Sequence, residues 1–145
     1  MKKIILSSIL LLSVFFVNAQ EWKTDISNAE KEAAKGDKPI ILVFEGSDWC
    51  APCIKLQKQV WDTPTFQEYA KDHFVMLKAD FPRKSKNSLP EDQKEKNSEL
   101  AAKYNPQGYF PLVVILDKNG KVLGKTGYKN IDADKYITLL NSFKS

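Results

Sequence analysis

Cys50 and Cys53 are the only cysteines in the chain, and they stand together in Trp49-Cys50-Ala51-Pro52-Cys53, directly after the apolar run Ile40-Ile41-Leu42-Val43-Phe44. Two intervening residues keep both sulfurs within bonding reach on one turn of a helix. The first thiol then lies at the helix N-terminus, where unpaired N–H groups and the macrodipole favour thiolate over thiol. Pro52, inside the first turn, gives up no helical hydrogen bond and stiffens the loop. A structural bridge would close too short a loop to remove much unfolded-state entropy. Zinc wants four ligands, and beyond these thiols the chain offers a single histidine, His73. The pair therefore reads as a redox site that needs no metal and no cofactor beyond its own disulfide.

The N-terminus gives those cysteines a compartment. Met1-Lys2-Lys3 is a charged start, residues 4–17 are mostly apolar, and Val17-Asn18-Ala19 supplies small residues at a cleavage point before Gln20. This is the layout of a signal peptide over 1–19, and the apolar run is short for a membrane span, which needs about 20 residues. An uncleaved anchor is the alternative. The expected product is residues 20–145, exported to the periplasm or beyond and soluble, with no stable membrane insertion. Outside the cytoplasm disulfides persist, so a lone pair in a reactive spacing suits work on other proteins' thiols.

Removing Lys2 and Lys3 takes the formal charge from +4 to +2. So near a balance gives no reason to propose nucleic acid or a membrane surface as partner. The mature length suits one domain with one core.

Along that domain the pattern predicts a helix over 26–35 stopped by Gly36, a buried strand over 39–45 and the Cys-x-x-Cys helix over 51–60. Asp62-Thr63-Pro64 opens a further helix, and a strand follows over 74–80. Residues 81–97 are almost all polar, with Leu89 as an apolar anchor, and read as an exposed insert loop. A short helix over 98–104 precedes a hairpin of 112–117 and 121–126 around Asp117-Lys118-Asn119-Gly120, and an amphipathic helix over 132–143 closes the chain. The order implies an α/β fold. Its central mixed sheet has a parallel part, where helices separate the strands, and a C-terminal antiparallel hairpin, with helices on its flanks.

Two motifs, Trp49-Cys50-Ala51-Pro52-Cys53 after a strand and Gly108-Tyr109-Phe110-Pro111 before the hairpin, resemble the thioredoxin superfamily across essentially the whole mature chain. Gly46-Ser47-Asp48-Trp49 and Trp61-Asp62-Thr63-Pro64-Thr65-Phe66 look like those of its exported bacterial members, including the periplasmic thioredoxin domain of a membrane electron-shuttling reductase and small disulfide reductases or isomerases. The resemblance implies a thioredoxin-like fold with Pro111 cis beside the disulfide. Tyr109, Phe110 and Pro111 would form a platform for an extended peptide, and Gly127 would allow close backbone packing. The alternatives at these positions are a proline that merely starts a strand and aromatics that belong to the core.

Two positions depart from the family pattern. The buried acid six residues before the first cysteine is replaced by Phe44, and a glutamate four residues after the second is replaced by Gln57. Glu45 alternates to the other face of the strand from Phe44. Either it acts through water, it is a strand-end acid, or release of the mixed disulfide is slow.

The chemistry expected is thiol–disulfide exchange. Cys50, expected to be the better exposed, attacks a substrate disulfide; Cys53, one turn deeper, resolves the intermediate. Trp49 shields the pair, and Ala51-Pro52 resembles the Gly-Pro of reducing thioredoxins, so the favoured direction is reduction, with isomerisation beside it. Substrates would be disulfide-containing exported proteins, and the site would be recharged by an upstream envelope electron donor. A chaperone-like peptide-binding module and a dedicated electron donor to one maturation client remain as other readings.

Overall fold

The computed structural model describes residues 20–144, so the expected signal segment lies outside the described residues. The elements are β1 (Trp22–Lys23), α1 (Ile26–Gly36), β2 (Ile40–Glu45), α2 (Ala51–Leu56), α3 (Pro64–His73), β3 (Val75–Asp80), α4 (Glu91–Tyr104), β4 (Leu112–Leu116), β5 (Val122–Thr126) and α5 (Ala133–Asn141). A π-helical turn, Gln57–Trp61, prolongs α2, and a 3-10 turn spans Ser85–Asn87. The strands form one sheet in the order β1-β3-β2-β4-β5.

β2 is central and buried along its whole length, as its unbroken apolar run requires. Its residues alternate between two cores. Ile41 and Val43 pack with Leu56, Val60, Trp61, Phe66, Tyr136 and Leu140, from α2, its π turn, α3 and α5. Ile40, Leu42 and Phe44 pack on the opposite face with Ala29, Ala33, Leu100 and Tyr104, from α1 and α4. Trp61, 2% exposed, is the hub of the first core, with Trp22, Phe66 and Tyr136 edge-on around it.

Local signals fix most element ends. Asp25, Thr63 and Asp132 each accept an N–H bond at a helix start. The position that ends α1 in left-handed conformation is Asp37 (φ 50°), one residue after the expected Gly36. Aspartate is among the few residues besides glycine that tolerate this region. In the β4–β5 turn Asp117 accepts N–H bonds from Asn119 and Lys121, and Gly120 takes φ 80°.

Three features differ from the sequence expectation. The 81–97 segment is a loop only at its start, because Glu91–Asn97 form the first half of α4. That half is polar all round, so no apolar stripe betrays it. Glu91 and Asp92 in the first turn complement the helix dipole, a Lys94–Glu91 pair adds to them, and buried Asn97 donates to the Asp80 carbonyl. Next, β1 pairs in parallel with β3 through two residues, too short a run to show periodicity. Last, β4 follows a helix yet runs antiparallel to β2. Phe44 pairs with Leu112 and Glu45 with Asp80, so the chain leaves β3 and re-enters at β4 on the same end of the sheet. The loop and α4 together make a return trip instead of the one-way crossover that would give a parallel neighbour.

Candidate active site

That shared end of β2, β3 and β4 carries the cysteine pair. β2 stops at Glu45, and Gly46 makes a tight turn in which its carbonyl accepts the N–H groups of Trp49 (3.3 Å) and Cys50 (2.9 Å). A Cβ at Gly46 would run into the Trp49 indole, so the turn and the tryptophan demand glycine there. Cys50 is the N-cap of α2 and is bonded to Cys53, with Cα atoms 5.2 Å apart. Its Sγ accepts the Cys53 N–H at 3.3 Å, the place of an ordinary capping oxygen. The same geometry stabilises negative charge on Cys50 once the pair is reduced. Ala51 and Pro52 occupy the exposed first turn.

Cys50 is expected to be the better exposed thiol of the reduced pair; in this disulfide form both cysteines are buried. Cys50 is 4% exposed and Cys53 3%. Bonded to each other, the two sulfurs cover one another, and the wall around them does the rest.

Trp49 forms part of that wall. Its Nε1 donates to the Phe81 carbonyl at 2.7 Å, and its ring meets Phe110 edge-on at 5.4 Å. Phe110 in turn meets Phe81 at 5.5 Å. The Phe110–Pro111 peptide is cis, and Gly108 takes φ 72°. Tyr109 stands 61% exposed, Phe110 is half-buried and Pro111 buried, so a single turn presents one open aromatic beside a packed one. Asn105, buried, holds this turn by both backbone groups of Tyr109: its Nδ2 donates to the carbonyl and its Oδ1 accepts the N–H, each at 2.9 Å. A Cβ at Gly127 would lie 3.3 Å from the Pro111 carbonyl, and the Gly127 carbonyl accepts the Tyr136 hydroxyl at 2.7 Å.

Glu45 sits behind the pair. Residues 41 and 43 face α2, so Glu45, in phase with them, faces it as well, while Phe44 points to the opposite core. The side chain lines a cavity of about 140 Å³ together with Cys53, Ser47, Gln57, Lys58 and Asp62. Glu45 is 7% exposed and makes no side-chain hydrogen bond among the described residues. Burial pushes its carboxyl up to about 7 from an ordinary 4.5; the nearby charges of Asp80 and Asp62 add to the rise, and Lys78 opposes it. Among the described residues no three His, Cys, Asp or Glu side chains gather as a metal site.

A family model described as thioredoxin-like matches residues 21–118. The chain belongs to the thioredoxin-like family. The disulfide bond reductase DsbH of Chlamydia pneumoniae is 38% identical over 122 residues, spanning 84% of this chain and 71% of the relative. A solved DsbH oxidoreductase structure matches with a TM-score of 0.78 at 36% identity, covering 86% of this chain and 84% of that one. A disulphide isomerase from Xylella fastidiosa Temecula1 shares the fold with a TM-score of 0.61 at 21% identity, over 83% of this chain and 88% of its own. By its cysteine pair and its likeness to DsbH this thioredoxin-like protein is a thiol–disulfide oxidoreductase.

The sequence motifs did not single out Asn105, Asp48 or Asp80, whose bonds shape the thioredoxin-like site. Asp48 accepts from the Arg83 and Lys84 amides and from Asn87, and Asp80 accepts both the N–H and the hydroxyl of Ser47. Asp48, inside the Gly46-Ser47-Asp48-Trp49 signature, carried the one available signal. Lys55 and His73 take no part in the cavity or the aromatic wall.

Proposed function

We propose that this protein is an exported disulfide reductase. Cys50 is the attacking nucleophile, Cys53 the resolving thiol, and Glu45 the group that takes up the Cys53 proton. The observation that carries this reading is the Cys50 Sγ at the α2 N-cap, bonded to the Cys53 N–H and flanked by the Trp49–Phe110 wall. In the reduced enzyme the Cys50 thiolate attacks one sulfur of a substrate disulfide. A Cys50–substrate disulfide forms and one substrate thiolate leaves. Cys53 passes its proton to the Glu45 carboxylate across the shared cavity and attacks Cys50 Sγ, expelling the second substrate thiolate. Two electrons have moved to the substrate, and a dithiol donor must return two to the Cys50–Cys53 disulfide. The exposed Tyr109, with Phe110 and cis-Pro111 behind it, offers the surface along which an extended substrate segment lies.

Reduction is favoured over oxidation by two facts. The 38% identical relative is a disulfide bond reductase, and Ala51-Pro52 places no histidine beside Cys50. The charged start and apolar run of residues 1–19, and the persistence of disulfides outside the cytoplasm, support export; among the described residues no helix is long and apolar enough to cross a membrane.

Insulin reduction by the purified protein with dithiothreitol as donor tests the reading. Cys50→Ala abolishes turnover, and Cys53→Ala accumulates a mixed disulfide through Cys50. A double Cys50→Ala, Cys53→Ala variant that still accelerates insulin reduction refutes it. So does a redox potential nearer to the about −120 mV of strong oxidants than to the about −270 mV of thioredoxin.

A further inference from the structure

Residues 81–90, Phe-Pro-Arg-Lys-Ser-Lys-Asn-Ser-Leu-Pro, hold three cations and no acid. Catalysis as proposed above makes no use of them. Arg83, Lys84 and Lys86 are all exposed, and none is in an ion pair with a described residue.

Their backbone is nevertheless held against the active site. The Asp48 carboxylate, two residues before Cys50, accepts the Arg83 N–H at 2.9 Å, the Lys84 N–H at 3.0 Å and Asn87 Nδ2 at 2.9 Å. These bonds hold the carboxyl of Asp48 below the ordinary carboxylate range, so it stays ionised and the loop stays fastened. The Arg83 guanidinium lies 3.6 Å from the centre of the Trp49 ring, and Trp49 is the residue next to Cys50. A second tie, Trp49 Nε1 to the Phe81 carbonyl, fixes the start of the same loop.

The acids nearby offset this charge only in part. Asp48, ionised among backbone and amide donors, offsets part of the Lys84 charge, Asp80 is hydrogen-bonded to Ser47, and Glu91, at the start of α4, pairs with Lys94. Glu45 is buried below the cysteines. On the other flank, Lys55 and Lys58 on α2 and its π turn add positive charge. A chain segment crossing Tyr109 and Cys50 therefore meets an edge that keeps a net positive charge.

We propose that Arg83, Lys84 and Lys86 form a lip that selects substrate disulfides flanked by acidic side chains. The inference rests on the exchange reading of the Cys50–Cys53 site. The lip acts on the substrate's approach and orientation and leaves the chemistry of the sulfurs unchanged. At physiological ionic strength the field of such charges reaches about 8 Å, so the carboxylates that matter lie within a few residues of the substrate cystine. Exposed pairs are individually weak, and three together give a preference on the order of tenfold in kcat/KM.

Three cystine peptides of one sequence, with flanking residues Asp/Glu, Asn/Gln or Lys/Arg, provide the test. Their kcat/KM values are measured at 50 mM and 1 M NaCl for the wild type, for the triple variant Arg83→Gln, Lys84→Gln, Lys86→Gln, and for Lys84→Glu, Lys86→Glu. The expected wild-type ratio of acidic to basic peptide is about tenfold at low salt, falling towards one at 1 M. The ratio falls towards one in the glutamine variant and inverts in the glutamate variant. A loop with only a structural role would lower all three peptides together and leave the ratio unchanged, which overturns the proposal. Equal wild-type turnover of acidic and basic peptides overturns it too, with the exchange reading intact. Absence of turnover on every peptide overturns both.

Discussion

Replacing Glu45 with glutamine removes a carboxyl that the fold holds in the wrong solvent for its charge. The side chain is 7% exposed at the end of β2, opposite Asp80 in the β2–β3 register, and its carboxyl is pushed up to about 7 from 4.5. At about 1.4 kcal/mol for each tenfold in proton concentration, that displacement corresponds to roughly 3 kcal/mol. Below pH 4.5 the carboxyl is protonated in folded and unfolded chains alike, and the penalty is absent. Between 4.5 and 7 the folded chain holds the proton and the unfolded chain has lost it, so stability falls as pH rises. Above 7 both forms are ionised and the folded state carries the whole penalty.

Glu45→Gln is free of this slope. The variant should therefore gain on the wild type by about 3 kcal/mol between pH 4.5 and 8, which for a domain of this size is a relative rise in Tm of roughly 10 °C. Thermal melts of the oxidised proteins across that range, taken as the difference between variant and wild type, cancel the other titrating groups. Coupled to this is a kinetic cost. The wild-type rate of mixed-disulfide resolution should rise through pH 7 as the Glu45 carboxylate forms, and the variant should be slower by about tenfold or more, with a flat profile. A Tm difference that stays constant from pH 4.5 to 8 would refute the burial argument, and equal resolution rates would refute the proton transfer.

Four further substitutions probe the scaffold. Trp61→Ala empties the hub of the α2–α3–α5 core and should cost about 3–5 kcal/mol in urea unfolding. Gly46→Ala collides with the Trp49 ring and should release its bond to the Phe81 carbonyl, seen as a shift in tryptophan emission together with slower insulin reduction. Gly127→Ala presses on the Pro111 carbonyl and should destabilise by about 1–2 kcal/mol, read in the same unfolding assay. Asn105→Ala unpins both backbone groups of Tyr109 and should raise KM for peptide disulfides more than it lowers kcat.

What sequence reading captured rests on short-range physics. The spacing of Cys50 and Cys53, Pro52 in the first turn, the unbroken apolar run of β2 and the Asp117–Gly120 turn each act within a few residues, so their consequences can be read locally. Thr63, within Asp62-Thr63-Pro64, caps its helix for the same reason. The first half of α4 escaped because its stability comes from terminal charges and one buried Asn97, with no apolar stripe.

The tertiary structure decided the rest. An apolar strand buried on both sides carries no label saying which face meets the cysteine helix, so only the packed sheet shows that Glu45, and not Phe44, looks towards Cys53. Likewise Asp48 gains its meaning from Arg83, Lys84 and Asn87, and Asn105 from Tyr109, which the fold brings into hydrogen-bond reach. The chain by itself determined that a reactive cysteine pair would start a helix after a buried strand. Which acid, aromatic and cationic groups surround that pair was set by sheet register and loop closure, because burial and electrostatic neighbours exist only once distant segments pack.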